Sequence, residues 1–279
     1  MVPTGIPLAD GRNLDLSSPL VMGVLNCTPD SFHAGSRLSD VEDVVRAAER
    51  MVEDGAGVLD IGGESSRPGA EPVSPEDEVR RVVPAIESIR RRLDVPVSVD
   101  TVRARVARGA LDAGADLVND ISALADPDMA GLIAGRGAAV VLMHMRGTPR
   151  TMQSDTRYDD VVAEIAAFLA EVSEKAVAAG IRGDRIVLDP GIGFGKSVEG
   201  NLEILRRLPE LSRLGRPLLV GASRKSFIGE TLDLPVDERL EGSLAVAATA
   251  VWQGARIIRA HDVRETVRVV RMVDAVRRS

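Results

Sequence analysis

The sequence predicts a single (β/α)8 barrel, and three observations predict it. Eight short aliphatic runs recur along 279 residues, most are apolar almost throughout rather than alternating, and helical periodicity fills the gaps between them. Continuous β-branched runs are the mark of parallel strands buried on both faces, and eight strand–helix units in about 250 residues suit a closed barrel. The first run is LVMGVLN (20–26), followed by the helical SDVEDVVRAAERMVEDGA (39–56), whose apolar residues fall three and four apart. GVLDIGG (57–63) is the second strand, and SPEDEVRRVVPAIESIRRRL (74–93) opens on a Ser cap with acids in its first turn. VPVSVDT (95–101), DLVNDI (116–121) and AAVVLMHM (138–145) follow, then the long helical stretch YDDVVAEIAAFLAEVSEKAVAAG (158–180), which ends in Gly. RIVLDPG (185–191), RPLLVGAS (216–223) and ARIIRAHD (255–262) complete the strands, with helices at 238–253 and 263–278. The chain reads as one domain, with an extension or leading hairpin over 1–18 and the barrel over about 20–277. An open doubly wound sheet is the alternative architecture, while uneven strand spacing argues against a fixed-period solenoid.

Composition narrows the function. With 44% apolar residues the chain can bury a large core without staples. A formal charge of −7 and only 2% aromatics argue against nucleic-acid binding, which needs basic footprints or stacking platforms. The lone Cys27 rules out an intrachain disulfide and suits a reducing cytoplasm. No basic-then-apolar leader is visible and no apolar run approaches the roughly 18 residues of a membrane span, so a soluble cytoplasmic protein is expected.

One stretch, DPGIGFGKS (189–197), invites comparison with a phosphate-binding loop. That motif needs a Gly five residues before Gly195-Lys196-Ser197, but Pro190 stands there and has no N–H to offer. In a barrel the active site lies at the C-terminal ends of the strands. Those ends carry Asn26, Glu64, Asp100, Asn119 with Asp120, His144, Asp189, Ser223 with Lys225, and Arg259 with His261. Each alone reads equally as a helix cap or turn former. Together they predict a small-molecule enzyme. Asp100, Asn119, Asp189 and Lys225 offer donors and acceptors to a flat heterocycle, whereas Arg67, Arg259, His261, Thr28, Ser65 and Ser66 suit an anion such as phosphate. His33, His144 and His261 have no metal-ligand spacing, so a hard cation bridging Asn26 and a pyrophosphate is the better expectation.

The motifs VLNCTPDSF (24–32), GGESSRPGA (62–70), VDT (99–101), VNDI (118–121), LMHMRGTPRTMQ (142–153), LDPGIGFGK (188–196), VGASRKS (220–226) and RAHD (259–262) occur in an order and spacing that resemble the dihydropteroate synthases of bacterial folate biosynthesis. The resemblance runs from about residue 20 to 275. It implies a TIM barrel that joins 6-hydroxymethyl-7,8-dihydropterin diphosphate to p-aminobenzoate, with Mg²⁺, as a homodimer. It implies that Asp100, Asn119, Asp189 and Lys225 hold the pterin, with Met143 and Phe194 packing near it. Asn26, Thr28, Ser66, Arg67, Arg259 and His261 would hold the diphosphate, Asn26 through the metal. Phe32, Ser66, Arg67, Pro68, Lys225 and Ser226 would form the p-aminobenzoate pocket. The chemistry would rest on Asp100, Asp189, Lys225 and Arg259. Diphosphate leaves readily once neutralised, so carbon–oxygen cleavage ahead of amine attack is expected, with concerted displacement as the alternative.

One departure stands out: after TPDSF the family usually continues SDGG, whereas this chain has His33-Ala34-Gly35-Ser36, so the acid of that loop is replaced by Ala34. Two other readings remain beside the synthase: a pterin-dependent methyl transferase acting on a corrinoid protein, and a pterin binder with weak or no synthase activity. The Ser66-Arg67-Pro68 and Ser223-Arg224-Lys225-Ser226 elements argue against the first, and only Ala34 motivates the second.

Overall fold

The computed structural model describes residues 2–27, 37–64 and 73–279. A short antiparallel hairpin, β1 (Gly5–Pro7) and β2 (Asn13–Asp15), precedes the barrel. The order then runs β3 (Leu20–Asn26), α1 (Arg37–Glu53), β4 (Val58–Gly62), α2 (Pro75–Arg92), β5 (Val97–Asp100), α3 (Ala104–Asp112), β6 (Leu117–Asp120), α4 (Met129–Arg136), β7 (Ala139–Met143) and α5 (Val161–Ala178). It continues β8 (Ile186–Asp189), α6 (Val198–Arg206), α7 (Leu208–Ser212), β9 (Leu219–Gly221), α8 (Ser226–Leu232), α9 (Leu240–Trp252), β10 (Ile257–Ala260) and α10 (Val263–Arg278).

Among the described residues, β3 to β10 form one parallel sheet in the order β8-β7-β6-β5-β4-β3-β10-β9. The parallel bridge Leu188–Leu218, with Leu188 N donating to Pro217 O at 2.9 Å, joins β8 to the approach of β9 and closes the barrel. The (β/α)8 expectation therefore holds. Several strands are shorter than their apolar runs. RPLLVGAS, for example, keeps only Leu219–Gly221 as strand, because Pro217 can accept but not donate.

Local chemistry sets the helix ends. Ser74, Asp160 and Ser197 cap α2, α5 and α6 by accepting backbone N–H groups, and Gly137 ends α4 in the left-handed region at φ 60°. Ser197 therefore belongs to a helix N-terminus, which accounts for one letter of the Gly-Lys-Ser puzzle.

Two apolar layers surround the strands. Outward side chains such as Val21, Leu59, Ile61, Val99 and Leu188 pack under the helices. Inward ones, including Met22, Val58, Leu117, Val141, Val187, Leu219 and Ile257, meet Ile6, Leu8, Leu14 and Leu16 of the hairpin segment. The hairpin thus plugs the N-terminal mouth and keeps the lower barrel dry. Among the inward-facing side chains polarity is confined to the upper half, while the buried Asp116 at the opposite end is paired with Arg12. Register sets Asp60 beside Ser98 in one layer, and Asp100 beside Asn119 and Met143 beside Asp189 in the next.

Leu16 is fully buried in that plug. Leu16→Ala is expected to cost about 2–5 kcal/mol of stability, by lost transfer energy plus the cavity left behind. Urea denaturation checks this, and a cost under about 0.5 kcal/mol would mean the hairpin is peripheral.

Candidate active site

The site begins in the middle of β4. Asp60 is wholly buried, and its Oδ2 accepts from Arg259 Nε at 2.6 Å and from Asn119 Nδ2 at 2.9 Å. Arg259 Nη2 reaches on to Asp100 Oδ2 at 2.7 Å. One guanidinium from β10 thus crosses the barrel to carboxylates on β4 and β5. Burial works against the Arg259 charge, but Asp60 and Asp100 more than offset it and hold its pKa above the usual value. Burial pushes the Asp100 carboxyl up to about 7, the neighbouring acids adding to the shift and Arg259 opposing it.

Asp60 is not among the residues nominated from strand ends, because it sits inside the run VLDIG. The signal was present nonetheless. A lone acid in a strand buried on both faces must find a cation or a donor. Its Oδ1 has no hydrogen-bond partner, so this carboxylate keeps one acceptor unused.

Asp189 ends β8 beside Met143, and burial raises its pKa against the attraction of Lys225. Its Oδ1 accepts from Gly191 N at 2.7 Å, so the first turn of the following loop orients the carboxylate. That loop lies against the chain after β7: a Cβ on Gly191 (φ +68°) would fall 2.0 Å from His144 O, and one on Gly195 (φ +67°) 2.8 Å from Arg146 O. Glycine is required at both positions. Lys225 donates to Ile192 O and lies 4.3 Å over the Phe194 ring, and burial lowers its pKa to about 8.

The neighbouring Arg224 adopts a positive φ of 55° and turns away from the barrel, making two 2.9 Å bonds to Asp262. The SRKS and RAHD segments are thereby locked together by an ion pair. His261 Nδ1 stands 3.1 Å from Ser223 Oγ, and Asn26 ends β3 half-buried, its Oδ1 close to Gly62 as is Asp100. Ser226 is exposed as the first residue of α8 and does not cap it.

Two of the strand-end residues face away. His144 points outward from β7, edge-on to Phe168 at 5.0 Å, and burial drives its pKa down to about 3, so it is neutral. Asp120 accepts from the backbone N–H groups of Ser122 and Leu124, both at 2.8 Å, the ordinary role of an acid after a strand. Glu64 is bound with Glu78 to Arg103 at the base of the loop after β4. Thr28, Phe32, Ala34, Ser65, Ser66, Arg67 and Pro68 lie outside the described residues.

A cavity of about 480 Å³ opens beside Asp100, Ile121 and Met143 and runs toward Met145, Arg150 and Phe168. Asp189, Lys225 and Arg259 do not line it; the two cations are paired with Asp60, Asp100 and Ile192 O.

A closed parallel barrel carrying buried acids and two cations at its C-terminal mouth defines a small-molecule enzyme of the TIM-barrel type. The pterin binding enzyme family matches residues 22–261. A dihydropteroate synthase of Escherichia coli K12 is 48% identical over 267 residues, covering 96% of this chain and 95% of that one. A Xanthomonas albilineans dihydropteroate synthase solved with 4-aminobenzoic acid superimposes with a TM-score of 0.92 at 43% identity, covering 99% of both chains. The same organism's enzyme in complex with 7,8-dihydropteroate gives 0.89 at 41%, again with 99% of both chains covered. The chain belongs to the dihydropteroate synthase family of pterin-binding enzymes.

Replacing Asp60 with Asn removes one of the negative charges that raise Asp100 and leaves Arg259 to Asp100 alone. Ionised Asp100 is present above about pH 7 and lost as pH falls through it. In Asp60→Asn that midpoint is expected to move to lower pH, as followed by infrared or carbon-13 titration of the carboxyl. An unchanged or higher midpoint would show that Asp60 does not set it.

Proposed function

We infer that the chain condenses 6-hydroxymethyl-7,8-dihydropterin diphosphate with p-aminobenzoate to give 7,8-dihydropteroate and pyrophosphate. The observation that carries this is the convergence of Asp100, Asp189, Lys225 and Arg259, from four different strands and the loops that follow them, on one mouth of a barrel of this family.

In this reading Asp189 and Asn119 meet the amino and ring N–H edge of the pterin, Asp100 meets another ring N–H, and Lys225 donates to a ring oxygen or nitrogen. Asp60 takes the Nδ2 side of Asn119, which leaves its carbonyl oxygen for the ligand. Met143 lines the cavity and Phe194 lies beneath Lys225, so both can pack on the ring. Arg259, His261 and Asn26, with Thr28, Ser66 and Arg67, hold the diphosphate. Phe32, Ser66, Arg67, Pro68, Lys225 and Ser226 complete the p-aminobenzoate pocket.

Mg²⁺ fits these donors. Among the described residues no three His, Cys, Asp or Glu side chains gather as a cage, so the ion would take the amide oxygen of Asn26 and oxygens of the diphosphate, in keeping with its habit. When bound, it neutralises charge on the leaving group. The methylene carbon–oxygen bond breaks with its electron pair going to the diphosphate. The electron-rich dihydropterin spreads the positive charge, and the carboxylates of Asp100 and Asp189 stabilise it. The aniline nitrogen then bonds to the methylene carbon and gives up its proton to the departing pyrophosphate or to solvent. Arg259, charged at all working pH values, remains with the departing anion.

Two further readings accompany this one. A homodimer would cover the C-terminal helices, where Trp252, Met272 and Val276 are 57%, 65% and 49% exposed. A cytoplasmic setting agrees with the lone Cys27, a buried thiol pushed up to about 12 by desolvation and therefore inert.

Pyrophosphate release by the purified protein should require the pterin diphosphate and Mg²⁺ and be strongly accelerated by p-aminobenzoate, with dihydropteroate formed only when all three are present, and a chelator should abolish release. Arg259→Met should lower kcat about 100-fold or more. Silence in the native chain with activity gained by Ala34→Asp would instead identify a synthase fold disarmed at its first loop. Separately, sedimentation should report a dimer that Trp252→Glu weakens.

A further inference from the structure

Lys196 is the one part of DPGIGFGKS that neither the pterin contacts nor helix capping explains. Its side chain is buried, with 3% of its surface exposed. The ammonium donates to the carbonyls of Phe194 at 2.8 Å, Gly191 at 2.9 Å and His144 at 3.2 Å, and lies 3.0 Å from His144 Nδ1. Burial lowers the Lys196 pKa to about 7, and the four acceptors around its three protons offset part of that desolvation cost. His144, neutral, accepts through Nδ1 and so carries its proton on Nε2.

These acceptors belong to two segments, one after β7 and one after β8. The loop they hold carries the working groups: Gly191 N orients Asp189, Ile192 O receives Lys225, and the Phe194 ring lies beneath that ammonium. The backbone of His144 also binds the carbonyl of Asp189, at 3.0 Å. Gly193 N donates to Asn201 at 2.7 Å, tying the same loop to α6.

We propose that Lys196 is a positioning residue for the pterin: its ammonium clasps the loops after β7 and β8 so that Asp189 and Phe194 are in place before the substrate arrives. Its contribution is preorganisation, so it appears in affinity for one substrate rather than in contact with either. The inference rests on the reading that Asp189 and Phe194 face the pterin.

Steady-state kinetics and calorimetric titration of the full chain with the pterin diphosphate and Mg²⁺ test it. Lys196→Met should raise the KM for the pterin diphosphate about tenfold or more and that for p-aminobenzoate several-fold less, since the loop places Asp189 and Phe194 for the pterin and touches the second substrate only through Lys225. His144→Leu should act in the same direction, His144→Asn should recover most of that loss through an oxygen near the Nδ1 position, and the double variant Lys196→Met/His144→Leu should be no worse than Lys196→Met alone. An unchanged pterin KM, equal rises in both KM values, or additive losses would overturn the clasp. If Lys196→Met fails to fold, the His144→Leu and His144→Asn pair decides the matter by the same criteria. Asp189→Asn serves as the reference: if it leaves pterin affinity intact, the site reading itself fails, whatever Lys196 does.

Discussion

The bond between Arg259 and the buried carboxylate of Asp60 is the interaction on which the rest of the site depends. A fully buried acid in the middle of a barrel strand carries a desolvation cost of several kcal/mol unless a cation compensates it. Arg259 provides that cation from β10, the strand that pairs with β3 and so lies two places from β4. The same guanidinium then has Nη2 left for Asp100, and Asp60 has capacity left for Asn119. Removing Arg259 would leave both carboxylates buried without a cation, so the guanidinium holds together a group whose geometry the barrel register imposes.

That unit is possible only because the barrel is divided. Below it, the hairpin fills the N-terminal mouth with Ile6, Leu8, Leu14 and Leu16, so no water enters from that side. Above it, the charges are confined to one face, where low polarity beneath them magnifies each interaction. The pKa directions express this. Burial raises Asp100 to about 7 and lowers Lys225 to about 8, and it raises Asp189 against the attraction of Lys225.

Most of the fold was legible in the sequence, because parallel strands covered on both faces must be apolar along their length and little else in a chain of this composition looks like that. Element ends were less legible. Apolar runs outlast their ladders wherever a Pro or an outgoing loop takes over, as at Pro217 before β9. The polar mouth was legible as a set of strand-end residues, yet strand ends alone do not say which way a side chain points. Met143 and His144 are adjacent, and the pleat sends the first into the cavity and the second back against Phe168. Asp60 escaped notice for the converse reason, being inside a strand rather than at its end.

The DPGIGFGKS stretch shows how a motif can mislead in letters and still be informative in physics. A phosphate loop and this loop both need glycines at positive φ and a lysine nearby. In the first, backbone N–H groups turn inward to an anion and the lysine reaches the same anion. Here Gly191 and Gly195 are required because the loop presses against the backbone of residues 144–146, and Lys196 is turned the other way, into carbonyl oxygens. The distinguishing letter was Pro190, which removes an N–H at the point where a phosphate loop would begin. Once anion binding is excluded, a buried lysine must be satisfied by acceptors of the protein itself. The nearest abundant ones are carbonyls of a sharply turned loop, so the glycines and the lysine have one physical cause.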